Sequence, residues 1–177
     1  CHQKNTSIWN VAKDYEYHSV KEDFTYYHCT DCGTIFIHPV PLSQLKEIYP
    51  SNYYSFVTVS KNIVVNIKEW LDKRLFKKIL SQLNSAKIDV LDVGGGTGWI
   101  LDVLKKTENR IDFTQIADID EKASIVAEQN GHAYFKGTIE EFNTDKRFHL
   151  ILMLNLIEHV ANPLAVLQKA ETLLHPG

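Results

Sequence analysis

From Asn62 to Lys87 the apolar residues Val64, Ile67, Leu71, Leu75, Ile79 and Leu83 return at helical spacing, which predicts one long amphipathic helix with a buried stripe. Lys68, Lys73, Arg74, Lys77 and Lys78 fall largely off that stripe and read as a solvated basic face, with attraction of an anionic acceptor as a secondary use. Past Lys87 the pattern changes to short apolar runs. Ile88–Val93, Phe113–Asp118, Ala133–Lys136 and Leu150–Leu154 are strand-length, and the last is apolar throughout, as expected of a strand covered on both faces. Between them Ile100, Leu101, Val103 and Leu104 carry a helix towards Thr107–Asn109, and a second helix ends at Gly131. Asn162 and Pro163 cap and open a third helix, with Leu164, Leu167, Ala170 and Leu174 as its predicted buried face. Strands alternating with helices predict an α/β fold of three layers around a parallel sheet.

Ahead of the long helix the signals are β-like. Phe24–His28 and Thr34–His38 are β-prone runs on either side of Cys29-Thr30-Asp31-Cys32-Gly33 and predict a hairpin. Ser43 is placed to cap a short helix presenting Leu45, Ile48 and Tyr49, which Pro50 would stop. On these grounds the chain divides into a cysteine-bearing segment 1–41, a helical connector 42–87 and an α/β core 88–177.

Composition narrows the class. At 177 residues, 44% hydrophobic and 23% charged, the chain has mass for one globular domain and a small appendage. It has no apolar run of about 18 residues, so neither a membrane span nor a membrane partner is expected. A net charge of −3 argues against a broad face for gripping nucleic acid. The three cysteines, two of them in one Cys-x-x-Cys, fit a reducing compartment and a cytoplasmic location. Both ends look cut: the sequence opens on Cys1, and it stops at Leu173–Gly177, where a further strand is expected to begin.

The cysteines also carry candidate chemistry. A Cys-x-x-Cys-Gly on a hairpin aims two thiolates at one point, and a closed structural zinc site needs four ligands. Cys29 and Cys32 supply two and Cys1 a third, as the surviving member of a second pair, with His2 a weaker candidate for the fourth. His18, His28 and His38 read as ordinary hairpin or surface histidines. The plain alternative is a reduced thiol pair; a redox motif of the thioredoxin kind sits between strand and helix instead.

The richest stretch is Val90-Leu91-Asp92-Val93-Gly94-Gly95-Gly96-Thr97-Gly98-Trp99, a strand, a glycine turn and a helix start that bring bare N–H groups to a ligand. After Asp92 the spacing is Gly-x-Gly-x-Gly. Trp99 stands where the third glycine of the dinucleotide fingerprint would fall, and its bulk argues against that use. The run resembles the first motif of class I S-adenosylmethionine (SAM)-dependent methyltransferases. Asn155-Leu156-Ile157-Glu158-His159-Val160-Ala161-Asn162-Pro163 likewise resembles a segment of small-molecule methyltransferases related to the ubiquinone O-methyltransferases. The knuckle, His38-Pro39-Val40-Pro41 and the cluster Tyr49, Tyr53, Tyr54 resemble the zinc-binding leader of a group of bacterial methyltransferases, where the tyrosines would lie in a lid, with core packing the expected use of at least one of them.

This resemblance implies a Rossmann-like methyltransferase sheet with strand order 3-2-1-4, and SAM as cofactor beside structural zinc. Asp92 with Gly94, Gly95, Gly96 and Gly98 would hold the methionine portion. Asp118, or else Asp120 if it is not a helix cap, would meet the ribose hydroxyls, with Ile119 beside it; Thr138 and Ile139 would meet the adenine, and Asn155 would line the site. No catalytic residue is assigned; His159 is a weak candidate for a base, against a reading in which it packs with Glu158 at a helix start. The acceptor implied is a small molecule such as a sugar. Strands beyond Gly177 would complete the sheet, and without them its fourth-strand edge is open to pairing with another chain as a homodimer. Two other classes stay in play: a non-catalytic SAM-binding module, and an RNA methyltransferase with a zinc finger, which net acidity disfavours.

Overall fold

Residues 5–15, 18–48 and 63–176 are described by the computed structural model and fall into two units, Cys1–Val57 and Thr58–Gly177. In the first unit β1 (Thr6–Ala12), β2 (Phe24–Cys29) and β3 (Ile35–Ile37) form an antiparallel sheet with β2 in the middle. The β2–β3 hairpin is the predicted one, pairing Tyr26 with Ile37 and Tyr27 with Phe36, whose rings stack at 5.9 Å. β1 carries no clear sequence signal. Ile8 and Trp9 are adjacent apolar residues, and a register shift between Ile8 and Asn10 breaks the two-residue alternation that marks a strand. A 3-10 turn at Leu42–Gln44 runs into the short α1 (Leu45–Ile48), close to the helix expected from Ser43; Tyr49, Pro50, Tyr53 and Tyr54 lie outside the described residues.

The second unit begins with α2 (Ile63–Leu80). It continues through β4 (Ile88–Val93), α3 (Trp99–Thr107), β5 (Ile111–Asp118), α4 (Glu121–Gln129), β6 (Ala133–Lys136), β7 (Leu150–Leu152) and α5 (Pro163–Leu173). Its four strands are parallel in the order β6-β5-β4-β7, which is the predicted 3-2-1-4. Alternation along β4 divides the core into two layers. Ile88 and Val90 face Phe76, Leu80, Leu101, Leu104 and Ala127 from α2, α3 and α4. Leu91 and Val93 face Phe142, Phe148, Val166, Ala170 and Leu173 on the α5 side. After α5, Leu174 bridges in parallel to Phe148, and His175 N donates to Phe148 O at 3.0 Å, so chain continuing from α5 takes up the start of the β7 edge.

Two helix faces differ from expectation. In α2, Phe76 and Leu80 are buried while Ile67, Leu71 and Leu75 face outward; the side chain of Val64 lies outside the described set. The sheet reaches α2 mainly near its carboxyl end, so the apolar residues further back have no core to join. In α5 the buried positions are Val166, Ala170 and Leu173, and Leu164, Leu167 and Leu174 are exposed. Both helices have apolar residues on more than one side, and spacing alone does not say which side meets the sheet. α2 also stops at Leu80 instead of reaching Lys87. The Arg110 guanidinium donates to the carbonyls of Leu80 (2.9 Å), Leu83 (2.8 Å) and Ser85 (3.0 Å), satisfying acceptors that a helix end leaves open.

Candidate functional site

Parallel strands put their carboxyl ends on one edge, where open α/β sheets hold ligands, and the loops after β4, β5, β6 and β7 carry the predicted binding residues there. Asp92, near the end of β4, shares the α3-facing side with Ile88 and Val90 and is only 3% exposed. The turn doubles back over it: a Cβ on Gly95 would lie 2.6 Å from Asp92 Cγ and Oδ2. A glycine is therefore what allows the carboxylate to sit under the turn. Burial, and after it the negative charge of Asp118, pushes the Asp92 carboxyl up to about 7.

Asp118, closing β5, organises the turn from the neighbouring strand. Its Oδ2 accepts from Gly96 N and its Oδ1 from Asp120 N, each at 2.9 Å. Gly94 N donates to Ala117 O at 2.8 Å, which ties the start of the same turn to β5. Asp120 is engaged differently, capping α4 by accepting from Lys122 N at 2.8 Å. Geometry thus separates the two acids: Asp118 faces the glycine turn and Asp120 serves a helix. Each Asp118 oxygen has spent one acceptor site on a backbone N–H and keeps capacity for a further donor. The space above Gly96 is open, with nothing within 4 Å of where its Cβ would stand. Two carboxylates beside bare backbone make a donor set that fits a cationic ligand bearing a vicinal diol.

Gly98 is constrained from below. It has φ +81° at the N-cap of α3, and a Cβ there would meet His132 Cδ2 at 2.6 Å and Ile116 Cδ1 at 3.0 Å. His132 is buried and bonded at both ring nitrogens, Nδ1 2.8 Å from Thr114 Oγ1 and Nε2 3.2 Å from Asp102 Oδ1. A carboxylate only accepts, so Nε2 carries the proton and Nδ1 accepts from the Thr114 hydroxyl. Desolvation lowers the His132 pKa against the pull of Asp102, with Lys105 adding to the lowering, and the neutral form satisfies both bonds. Asn130 Nδ2 donates to the other Asp102 oxygen at 3.1 Å. This network lies outside every sequence motif, because its members come from α3, β5 and the turn between α4 and β6. Trp99 opens α3 with Lys68 Nζ 4.1 Å from its ring centroid.

The remaining predicted residues fall around this centre. Ile119 is exposed just past Asp118. Gly137 N donates to Asp118 O at 3.0 Å, which brings the segment after β6 alongside; there Thr138 N and Oγ1 lie 3.1 and 3.4 Å from Glu141 Oε2. The Ile139 side chain is buried with Phe142 and Phe148, so it offers a ligand only its backbone. Asn155, exposed after β7, adopts φ +51°, a left-handed conformation that asparagine tolerates. Leu156, which the sequence did not single out, packs over the turn, its Cδ1 3.0 Å from where a Gly94 Cβ would be. His159 is exposed on the 3-10 turn Ile157–His159, with its N donating to Leu156 O at 2.8 Å.

In the first unit Cys29 is buried and Cys32 exposed. Cys32 Sγ lies 3.3 Å from Thr34 Oγ1, and hydrogen bonds from Thr34, then the thiol of Cys29, lower its pKa. Among the described residues no three His, Cys, Asp or Glu side chains converge as a metal ion would require, and Cys1 and His2 lie outside them.

Comparison with known proteins follows the same outline. The ubiquinone biosynthesis O-methyltransferase of Rickettsia prowazekii (strain Madrid E) is 37% identical over 92 residues, which is 50% of this chain and 36% of that protein. This chain thus spans little more than a third of that relative's length. Among solved structures, the plantazolicin methyltransferase BpumL in complex with SAH aligns with a TM-score of 0.52 at 20% identity, over 61% of this chain and 43% of its own. SAM-bound CalS10, an amino pentose methyltransferase from Micromonospora echinaspora, aligns with a TM-score of 0.53 at 14% identity, over 68% of this chain and 55% of its own. At these identities the structural likeness shows the fold. The family described as a methyltransferase domain matches residues 67–177, which takes in α2 from Ile67 onward and the whole glycine-turn edge. By that match, this chain belongs to the methyltransferase domain family.

Proposed function

We propose that the protein is a SAM-dependent methyltransferase acting on a small-molecule acceptor such as a sugar or another metabolite, in the cytoplasm. The observation that carries this reading is the pairing of Asp92, buried beneath the glycine turn, with Asp118, which holds that turn by Gly96 N at 2.9 Å. SAM supplies a methyl group on a positively charged sulfur, already activated for in-line displacement. The chain's own task is to bind, align and exclude water. Asp118 keeps acceptor capacity on both oxygens for the ribose hydroxyls, and Asp92 places negative charge near the cationic portion. The backbone at Gly94–Gly98 lies beside the methionine portion, and Thr138 with the backbone of Ile139 flanks the adenine. Asn155 lines the cofactor site, and His159 is a candidate for accepting a proton from the acceptor, beside its alternative role of packing with Glu158 at the helix start. Support comes from the family match, from the named activity of the Rickettsia relative and from the SAH and SAM in the two neighbouring structures.

Calorimetric titration with S-adenosylhomocysteine tests the reading. Wild type is expected to bind on a micromolar scale, and Asp118→Ala at least about 30-fold more weakly, because charged acceptors to the turn and to the diol are lost together. Equal heats from the two proteins would remove Asp118 from the site, and no heat with wild type would remove the cofactor. In the first unit we read Cys29 and Cys32 as half of a structural zinc site completed by Cys1, a reading supported by the two thiols lying within hydrogen-bond reach. Metal analysis of the purified protein should then find about one zinc per chain, reduced by Cys29→Ser. A metal-free protein with unchanged melting after chelation would leave Cys29 and Cys32 a reduced thiol pair.

A further inference from the structure

The outward face of α2 combines two things that a merely solvated helix lacks. Ile67, Trp70, Leu71 and Leu75 are each between 53% and 58% exposed. On a helix of about 3.6 residues per turn, Ile67, Leu71, Leu75 and Lys78 form one strip, and Trp70, Arg74 and Lys77 form the strip beside it. On the opposite strip Phe76 and Leu80 enter the core, with Glu69 and Lys73 half-buried beside them. Both acids of the helix lie towards that inner side and are matched there, Glu69 with Lys73 at 2.7 Å and Asp72 with Lys68 at 3.1 Å. Arg74, Lys77 and Lys78 are left facing outward among the apolar residues, and among the described residues none of the three makes an ion pair. Arg74 lies 5.9 Å from the Trp70 ring centroid. On a chain of net charge −3, this is a cationic and apolar face free of acids.

We propose that this face of α2 docks on a membrane surface bearing anionic phospholipid headgroups. Charge complementarity selects that occupant. Three cations on long stems can reach headgroup phosphates while the apolar residues between them enter the acyl boundary, and tryptophan favours that depth. Contact is peripheral, which agrees with the finding that no described helix is long and apolar enough to cross a membrane. The inference is independent of the cofactor reading.

Co-sedimentation with vesicles of phosphatidylcholine, with and without phosphatidylglycerol, provides the test. Wild type should pellet with the anionic vesicles and stay in solution with the neutral ones. Lys77→Glu with Lys78→Glu should weaken binding by about tenfold or more, since each cation near an anionic surface counts appreciably. Leu71→Ser with Leu75→Ser should weaken it similarly, with melting temperature and S-adenosylhomocysteine affinity unchanged in both double variants. Failure of wild type to pellet with anionic vesicles, or undiminished pelleting by both variants, overturns the proposal. A wild-type dimer by light scattering that Leu71→Ser with Leu75→Ser abolishes would assign the face to a second copy instead, and would overturn it equally.

Discussion

Gly98→Ala should lower stability by about 2–5 kcal/mol, a sum of two separable costs. The first is conformational: φ is +81°, and a left-handed backbone costs a residue with a Cβ about 1–2 kcal/mol. The second is steric, because the new methyl would sit 2.6 Å from His132 Cδ2 and 3.0 Å from Ile116 Cδ1, and overpacking costs about 1–3 kcal/mol. His132 cannot swing aside cheaply while Thr114 and Asp102 hold both its nitrogens. In a chain of this size the melting point should fall by roughly 5–15 °C. Gly96→Ala is the matched control. It also has positive φ, +52°, but its Cβ would enter open space, so only the conformational cost applies. His132→Ala should shrink the penalty of Gly98→Ala in a double-mutant cycle, because it removes the obstructing ring. Equal melting of the Gly98→Ala and Gly96→Ala proteins would show that the buried histidine does not constrain the turn.

Asp92→Asn should raise stability at pH 8 while weakening cofactor binding. A carboxyl whose folded pKa is raised to about 7 keeps its proton in the native state after the unfolded chain has released its own. Stability therefore falls as pH rises from about 4 to about 7, by an amount on the order of 4 kcal/mol, and the deficit persists above that range. Asparagine has nearly the same shape and no charge to bury. The variant is expected to melt on the order of 5–10 °C above wild type at pH 8, with the difference shrinking towards pH 4. Because Asp118 is the second cause of the shift, Asp118→Asn should narrow the same gap. Thermal melts of wild type and Asp92→Asn at several pH values decide the matter; parallel curves would mean that Asp92 titrates as an ordinary carboxylate. The buried charge is then a stability cost that the fold retains at its ligand edge.

The sequence by itself determined the order of elements and the residues of the turn. Strand-length runs at Ile88–Val93, Phe113–Asp118, Ala133–Lys136 and Leu150–Leu154, separated by helical spacing and closed by Gly131 and by Asn162-Pro163, suffice for the parallel sheet. Such signals are local: period, cap and glycine position act within a few residues. That Asp118 closes the second strand was likewise legible, whereas its bond to Gly96 N, which sets it apart from Asp120, appears only in the structure. Only the tertiary structure decided which side of each helix is inside. Ile67, Leu71 and Leu75 were expected in the core and lie outside, while Val166 and Leu173 displace Leu164 and Leu174, because burial depends on where the sheet ends and the sheet is built from distant segments. The same holds for His132, Thr114 and Asp102. They meet beneath Gly98 from a helix, a strand and a turn far apart in the chain, and nothing in the spacing of a histidine, a threonine and an aspartate records that convergence.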